Sequence, residues 1–237
     1  MLRLALIGIA AFACTVHFAL AANINVPADY PTIQSAIDAA FDGDTVIVSP
    51  GIYFENIDFL GKAITVRSTD PLDWDIVAQT IIDGMQADSC VKFITGEGRN
   101  SIIRGLTITN GRHNTGMADG GGISCDGSSP QISNNIIRNN EAFTYGGGIS
   151  AIWGGAALIK DNIISANVAD FGGAVLAMYG GDTEVIGNVF EGNIGISYGT
   201  VTAWSAHITV ANNTFSGNAA FLGDGVYCSQ SSATITG

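Results

Sequence analysis

The sequence predicts an all-β solenoid: parallel strands coiled with three short strands per turn, a period of about 26 residues, and one helix closing the N-terminal end. Three observations predict it. A Gly-rich element ending in an aliphatic residue recurs as Gly120-Gly121-Gly122-Ile123, Gly146-Gly147-Gly148-Ile149, Gly172-Gly173-Ala174-Val175, Tyr198-Gly199-Thr200-Val201 and Gly223-Asp224-Gly225-Val226; its closing residues lie 26, 26, 26 and 25 apart. Two Asn columns, Asn135, Asn162, Asn188, Asn213 and Asn140, Asn167, Asn193, Asn218, both step by 27, 26 and 25. Between these markers run short, alternating, β-branched segments such as Gln131-Ile132-Ser133, with no long stretch at helical spacing, which selects strands over helices.

The elements follow in chain order. Met1 to Ala21 carries one positive charge at Arg3, an apolar run from Leu4 to Cys14, and small residues at Ala19 and Ala21. That pattern predicts a signal peptide over 1–21, cleaved near Ala21. The apolar run is short for a span of about 20 residues and His17 interrupts its continuation, so no transmembrane span is expected after cleavage. Residues 22–60 read as the cap and first turn. Ile33, Ala36, Ile37, Ala40 and Phe41 fall on one helical stripe, with Thr32 as N-cap behind Pro31. Short strands follow at Thr45, Gly51, Ala63 and Thr80, and 61–237 read as turns of the coil. Ser231 to Gly237 repeats Ser128 to Asn134 at an offset of 103, the sum of four periods. It stops before the next Asn, so the expectation is a sequence truncated within its last turn.

Composition fits a coil of this kind. Of 237 residues, 31 are Gly and 30 Ile: Gly for tight corners, Ile for stacked interior columns. The Asn columns read as structural ladders, because Asn tolerates left-handed corners and its amide donates to the same amide one turn on. Cys125, Ala151, Ala177, Ala203 and Cys228 share one inward column. Cys125 and Cys228 are then four turns and about 19 Å apart, beyond the reach of a disulfide. A net charge of -12, with no Lys or Arg after Lys160, argues against nucleic acid or an anionic membrane surface as partner, since both demand basic patches.

The run Pro31-Thr-Ile-Gln-Ser-Ala-Ile-Asp-Ala-Ala40, then Gly43-Asp-Thr-Val-Ile-Val48, then Pro50-Gly-Ile-Tyr-Phe-Glu-Asn56 resembles the N-terminal cap and first turns of secreted bacterial right-handed β-helix proteins of the pectin-lyase-like superfamily. The Gly-Gly-Ala-Val unit and the units Phe190 to Asn193 and Phe215 to Asn218 are similar to the repeats of surface-exposed autotransporter adhesins. Over about residues 24–237 the resemblance implies a right-handed parallel β-helix, exported to the medium or cell surface, whose partner is an extracellular polysaccharide or a cell surface. It does not fix an activity, because the fold hosts enzymes and adhesins alike. The first reading is a non-catalytic glycan-binding or adhesive protein without a cofactor. The alternative is a carbohydrate-active enzyme, a Ca²⁺-dependent pectate-type polysaccharide lyase.

Candidate residues divide along the same line. Pectinesterases share a version of the Gly51-x-Tyr53-x-Glu55 element, but their later motifs are missing; Asp170-Phe171-Gly172 matches part of one and falls at a repeat corner. A lyase needs an Arg or Lys base, for which Arg104, Arg112 and Arg138 are the weak candidates, and carboxylates for Ca²⁺, for which Asp119, Asp126 and Asp161 are available. These Asp residues fall at different phases of the turn and define no metal site. Asp42, Asp44, Asp73 and Asp75 read as turn formers. Trp153, Tyr179 and Trp204 follow successive strands and predict an exposed stripe about 5 Å apart. Such a stripe either stacks on sugar rings or shields a corner. The loop 112–119, carrying Arg112, His113 and Asp119, lengthens the step from Asn110 to Asn140 to 30 residues.

Overall fold

The structure, a computed structural model, describes residues 20–114 and 120–237. The predicted signal peptide, except its last two residues, and the loop residues 115–119 with Asp119 lie outside the described residues. The described chain winds into about eight turns whose strands stack in parallel. Sheet I has nine strands, from Asn23–Val26 to Ser232–Thr236; sheet II has seven, from Gly51–Phe54 to Thr214–Ser216; sheet IV has seven, from Ile57–Asp58 to Val226–Ser229. These are the three strands per turn that the sequence predicts. Sheet III is additional: five strands, Arg112–His113, Glu141–Ala142, Val168–Phe171, Ile194–Tyr198 and Ala219–Leu222, follow the second Asn of each later turn. Its inward positions Ala142, Ala169, Gly195 and Ala220 are small, which is why alternation of large apolar residues does not reveal it.

The interior is built of aligned columns. Val46, Val66, Ile103, Ile132, Ile159, Val185 and Val210 pair in register down sheet I. Ile82, Ile108, Ile137, Ile164, Phe190 and Phe215 do so down sheet II. Down sheet IV run Cys125, Ala151, Ala177, Ala203 and Cys228. Columns of one shape let each turn repeat the packing of the last, at interior density.

Two Asn ladders fasten the turns. Asn135 Nδ2 donates to Asn162 Oδ1 at 3.1 Å and Asn162 Nδ2 to Asn188 Oδ1 at 3.0 Å. Asn140, Asn167 and Asn193 repeat this at 3.0 Å. Each amide also donates to a main-chain carbonyl of the preceding turn, as Asn167 does to Ile137. The left-handed corner is not at the ladder Asn, as the sequence reading placed it, but one residue before. Asn134, Asp161, Gly187 and Asn212 precede the first ladder, and Asn139, Ala166, Gly192 and Gly217 the second, all at φ of 54–66° except Ala166 at 52°. The ladder Asn is freed to point inward because its neighbour makes the turn. Asp161 is thereby a corner residue.

At the Gly runs neighbouring backbones come too close for a side chain. A Cβ on Gly147 would lie 2.4 Å from the Gly173 carbonyl, and one on Gly121 2.5 Å from that of Glu141.

The N-terminal cap is the helix Ile33–Ala39, with Thr32 accepting from the Ser35 amide. Ile33, Ala36 and Ile37 are buried, whereas Phe41, at 75% exposure, leaves the predicted stripe. Glu55 clamps the helix start: the amides of Ile33 and Gln34 donate to its two oxygens at 2.9 Å each. Tyr53 donates to the Ser49 carbonyl. The Gly-x-Tyr-x-Glu element therefore builds the cap. A second helix, Trp74–Gln79, capped by Asp73, is too short to show as a periodic stripe.

Two measurements test the ladder and the corners. Asn167→Ala removes four buried hydrogen bonds and is expected to lower unfolding free energy by about 3 kcal/mol or more in urea titrations. Ala166→Gly relieves a left-handed corner and is expected to raise it by about 0.5–1 kcal/mol. A stabilising Asn167→Ala or a destabilising Ala166→Gly contradicts these assignments.

Candidate functional site

A strand of a solenoid has one face inside and one in water, so its outer residues should be exposed. The sheet IV strands Ile149–Ile152 and Val175–Met178 are buried on both faces. Their outward residues Ile152, Leu176 and Met178 form a second apolar cluster outside the coil, packed against Tyr145, Phe171 and Trp204. The cover comes from the segment between sheets III and IV. There Tyr145, Phe171 and Tyr198 occupy one row, each immediately before a Gly of the repeat. The pairing register shifts just ahead of Phe171 and Tyr198, and such bulges re-aim side chains. Phe171 stacks on Tyr198 at 4.5 Å between ring centroids and meets Tyr145 edge-on at 5.6 Å.

The opposite wall stands on the corner that ends each sheet IV strand. Gly127, Trp153, Tyr179, Ser205 and Gln230 form one row there, all left-handed with φ of 50–59°. Amide-to-carbonyl bonds of 3.0–3.1 Å, such as Trp153 N–H to Met178 and Tyr179 N–H to Trp204, hold it in register. Trp153 and Tyr179 stack at 4.6 Å and 24°, exposed at 57% and 44%. Between this wall and Tyr145 lies a cavity of about 110 Å³ floored by Ile152 and Met178. Asp170 Oδ1 accepts from the Ser197 hydroxyl. Burial pushes the Tyr145 phenol up, and the charges of Tyr179 and Asp170 add to that.

The structure thus brings two of the three predicted aromatics together. Trp204 stands one residue earlier, in register with Ile152 and Met178. It is half-buried there, edge-on to Phe171 at 5.8 Å and to Tyr198 at 5.9 Å. It belongs to the floor row and does not continue the stripe, because sheet IV holds its side chain on the strand face and not at the corner. Tyr145 was missed by sequence reasoning. Its signal is the aromatic before Gly146, Gly172 and Gly199, at steps of 26 and 27.

The lyase candidates are not brought together. Arg104 lies on sheet I, Arg138 on sheet II and Arg112 on sheet III. Arg112 pairs with Glu141 at 3.4 Å and donates from Nε to Asn114. Asp126 ends a sheet IV strand. Among the described residues no three His, Cys, Asp or Glu side chains converge as a metal site. A polar cluster borders the 112–119 loop: Asp88 accepts from Lys92 at 2.5 Å and pairs with His113 Nδ1 at 3.2 Å. Burial raises the Asp88 carboxyl, but the bonds from Lys92, the Ser89 amide and His113 hold it below its ordinary value.

With this geometry in hand, comparison with known proteins gives the class. A model of the right-handed β-helix region matches residues 54–190 and 98–237. The chain belongs to the right-handed β-helix region family. A cell surface glycoprotein of Methanothermus fervidus is 30% identical over 119 residues, which is 49% of this chain and 17% of that protein. The chain therefore spans about a sixth of that relative's length. No solved structure matches it. Among the described residues no helix is long and apolar enough to cross a membrane.

The cysteines yield a test. Cys90 and Cys125 are buried and Cys228 exposed. Burial pushes the Cys90 thiol up to about 12 and the Cys125 thiol still further. In protein spanning residues 22–237 at about pH 8, near the ordinary thiol range, Ellman's reagent should titrate Cys228 alone, and all three only in denaturant. Rapid reaction of two or more native thiols refutes that burial.

Proposed function

We propose that this is an exported, cell-surface β-helix protein that binds a glycan without transforming it, through the groove between Tyr145 and the Trp153–Tyr179 stack. One observation carries the reading. Trp153 and Tyr179 occupy left-handed backbone, where a bulky residue is an outlier and costs about 1–2 kcal/mol. The same row holds Gly127 one turn earlier, so the fold itself asks for no ring there. Backbone strain retained under exposed aromatics points to function. Flat, rigid rings beside an apolar floor suit the apolar face of a sugar, and no Lys or Arg lines the cavity. The relative described as a cell surface glycoprotein and the predicted signal peptide support the location.

Trp153→Gly is expected to reduce retention on insoluble polysaccharides by about tenfold or more, a loss equivalent to one aromatic stack. Stability should stay within about 1 kcal/mol of the parent, because relieved strain offsets the lost stack, whereas truncating a core Trp costs about 3–5 kcal/mol. Affinity electrophoresis and urea unfolding read the two outcomes. Unchanged retention would falsify the proposal.

A further inference from the structure

The Trp153–Tyr179 stack is open at one end. Gly127 sits one turn before Trp153 in the same row, its amide bonded to the Ile152 carbonyl at 3.0 Å. It is exposed, and a Cβ on it would meet only the Trp153 carbonyl oxygen, at 3.8 Å. Tyr179 covers one face of the indole, and in the turn on the other side of Trp153 the row holds Gly127, which has no side chain. Turns repeat at about 4.8 Å, close to the separation of a sugar ring lying flat on an aromatic one. We propose that a pyranose of an uncharged β-linked glucan-type chain seats over Gly127 on the free face of Trp153, as the missing ring of the stack. This rests on the glycan-binding reading and adds where the sugar sits and which class it is.

The class follows from charge and shape. No Lys or Arg lines the cavity. A uronate carboxylate therefore finds no counterion in it. An uncharged pyranose with all substituents equatorial offers axial C–H groups to the indole and hydroxyls to the rim. Trp153 is common to seat and cavity, so one chain can occupy both.

Calorimetric titration with cellohexaose and hexagalacturonate tests this. The parent protein should bind cellohexaose at least about tenfold more tightly than hexagalacturonate. Glu191→Gln, exposed on sheet II away from the groove, should keep that affinity within about threefold. Gly127→Trp, which extends the stack by one ring, should weaken it by about tenfold or more. In ¹⁵N-labelled parent protein, cellohexaose should shift the Gly127 amide and the Trp153 indole signals, a readout independent of how any variant folds. Undiminished binding by Gly127→Trp, equal affinity for hexagalacturonate, no binding of cellohexaose, or shifts that spare Gly127 and Trp153 would each overturn the proposal. If Trp153→Gly loses polysaccharide retention while Gly127→Trp binds normally, glycan binding stands and the seat falls. If Trp153→Gly retains it, the broader reading falls.

Discussion

Turn-to-turn registry is the constraint on which everything else in this molecule depends. Parallel strands exchange evenly spaced hydrogen bonds only when each turn begins where the last one did, and the two Asn ladders enforce that twice per turn. An amide such as Asn167, which accepts from Asn140 and donates to Asn193, is satisfied only if both neighbouring turns have the right length. A turn of altered length would strand a buried amide, at about 1–3 kcal/mol for each unmet group. The nearly constant step of 25–27 residues is the result. Length variation falls in the turns before the ladders are continuous on both sides: along sheet I, Val46, Val66, Ile103 and Ile132 step by 20, 37 and 29 residues.

Registry also dictates where unusual backbone must fall. A corner placed in one turn is repeated at the same place in the next, so left-handed residues come as rows: one before each ladder, one at the end of sheet IV, and one of Gly146, Gly172, Gly199 and Gly223 ahead of that sheet. In the ladder rows mostly Asn, Asp and Gly take the strain, as their conformational freedom allows. In the sheet IV row a Trp and a Tyr take it instead. The same geometry thus separates residues chosen for the fold from residues that the fold merely tolerates, and gives the groove its interest.

The fold was legible because a solenoid writes its period directly into the sequence: Gly runs, Asn columns and aliphatic columns all repeat by one number. The N-terminal helix was legible from its stripe and cap. Sheet III was not, because Ala142, Ala169, Gly195 and Ala220 give no alternation to detect. The groove was half legible. Trp153 and Tyr179 stood out as large residues just past the strands, but counting alone could not tell that Trp204, one position earlier, lies on the strand face. Tyr145 stands before the Gly element that leads into Ile149–Ile152, and only the bulged path between sheets III and IV brings its ring back against the outer face of that strand. The arginines failed as a group because sequence offsets of 8 and 26 residues among them do not show which sheet each one reaches.

The position of the groove along the coil bears on what it can do. Trp153 and Tyr179 stand on turns whose ladder residues, Asn162, Asn167, Asn188 and Asn193, both give and receive inter-turn bonds. Local opening of a solenoid proceeds from turns with fewer neighbours, so a site bracketed on both sides is held by the stiffest part. Little order then remains to be imposed when a ligand arrives, and ordering interface side chains costs about 0.5–1.5 kcal/mol each when it is not already done. A small groove of a few rings can bind usefully only if that cost has been met by folding. Here the stack, its floor and its cover are all fixed by the same registry that stacks the turns.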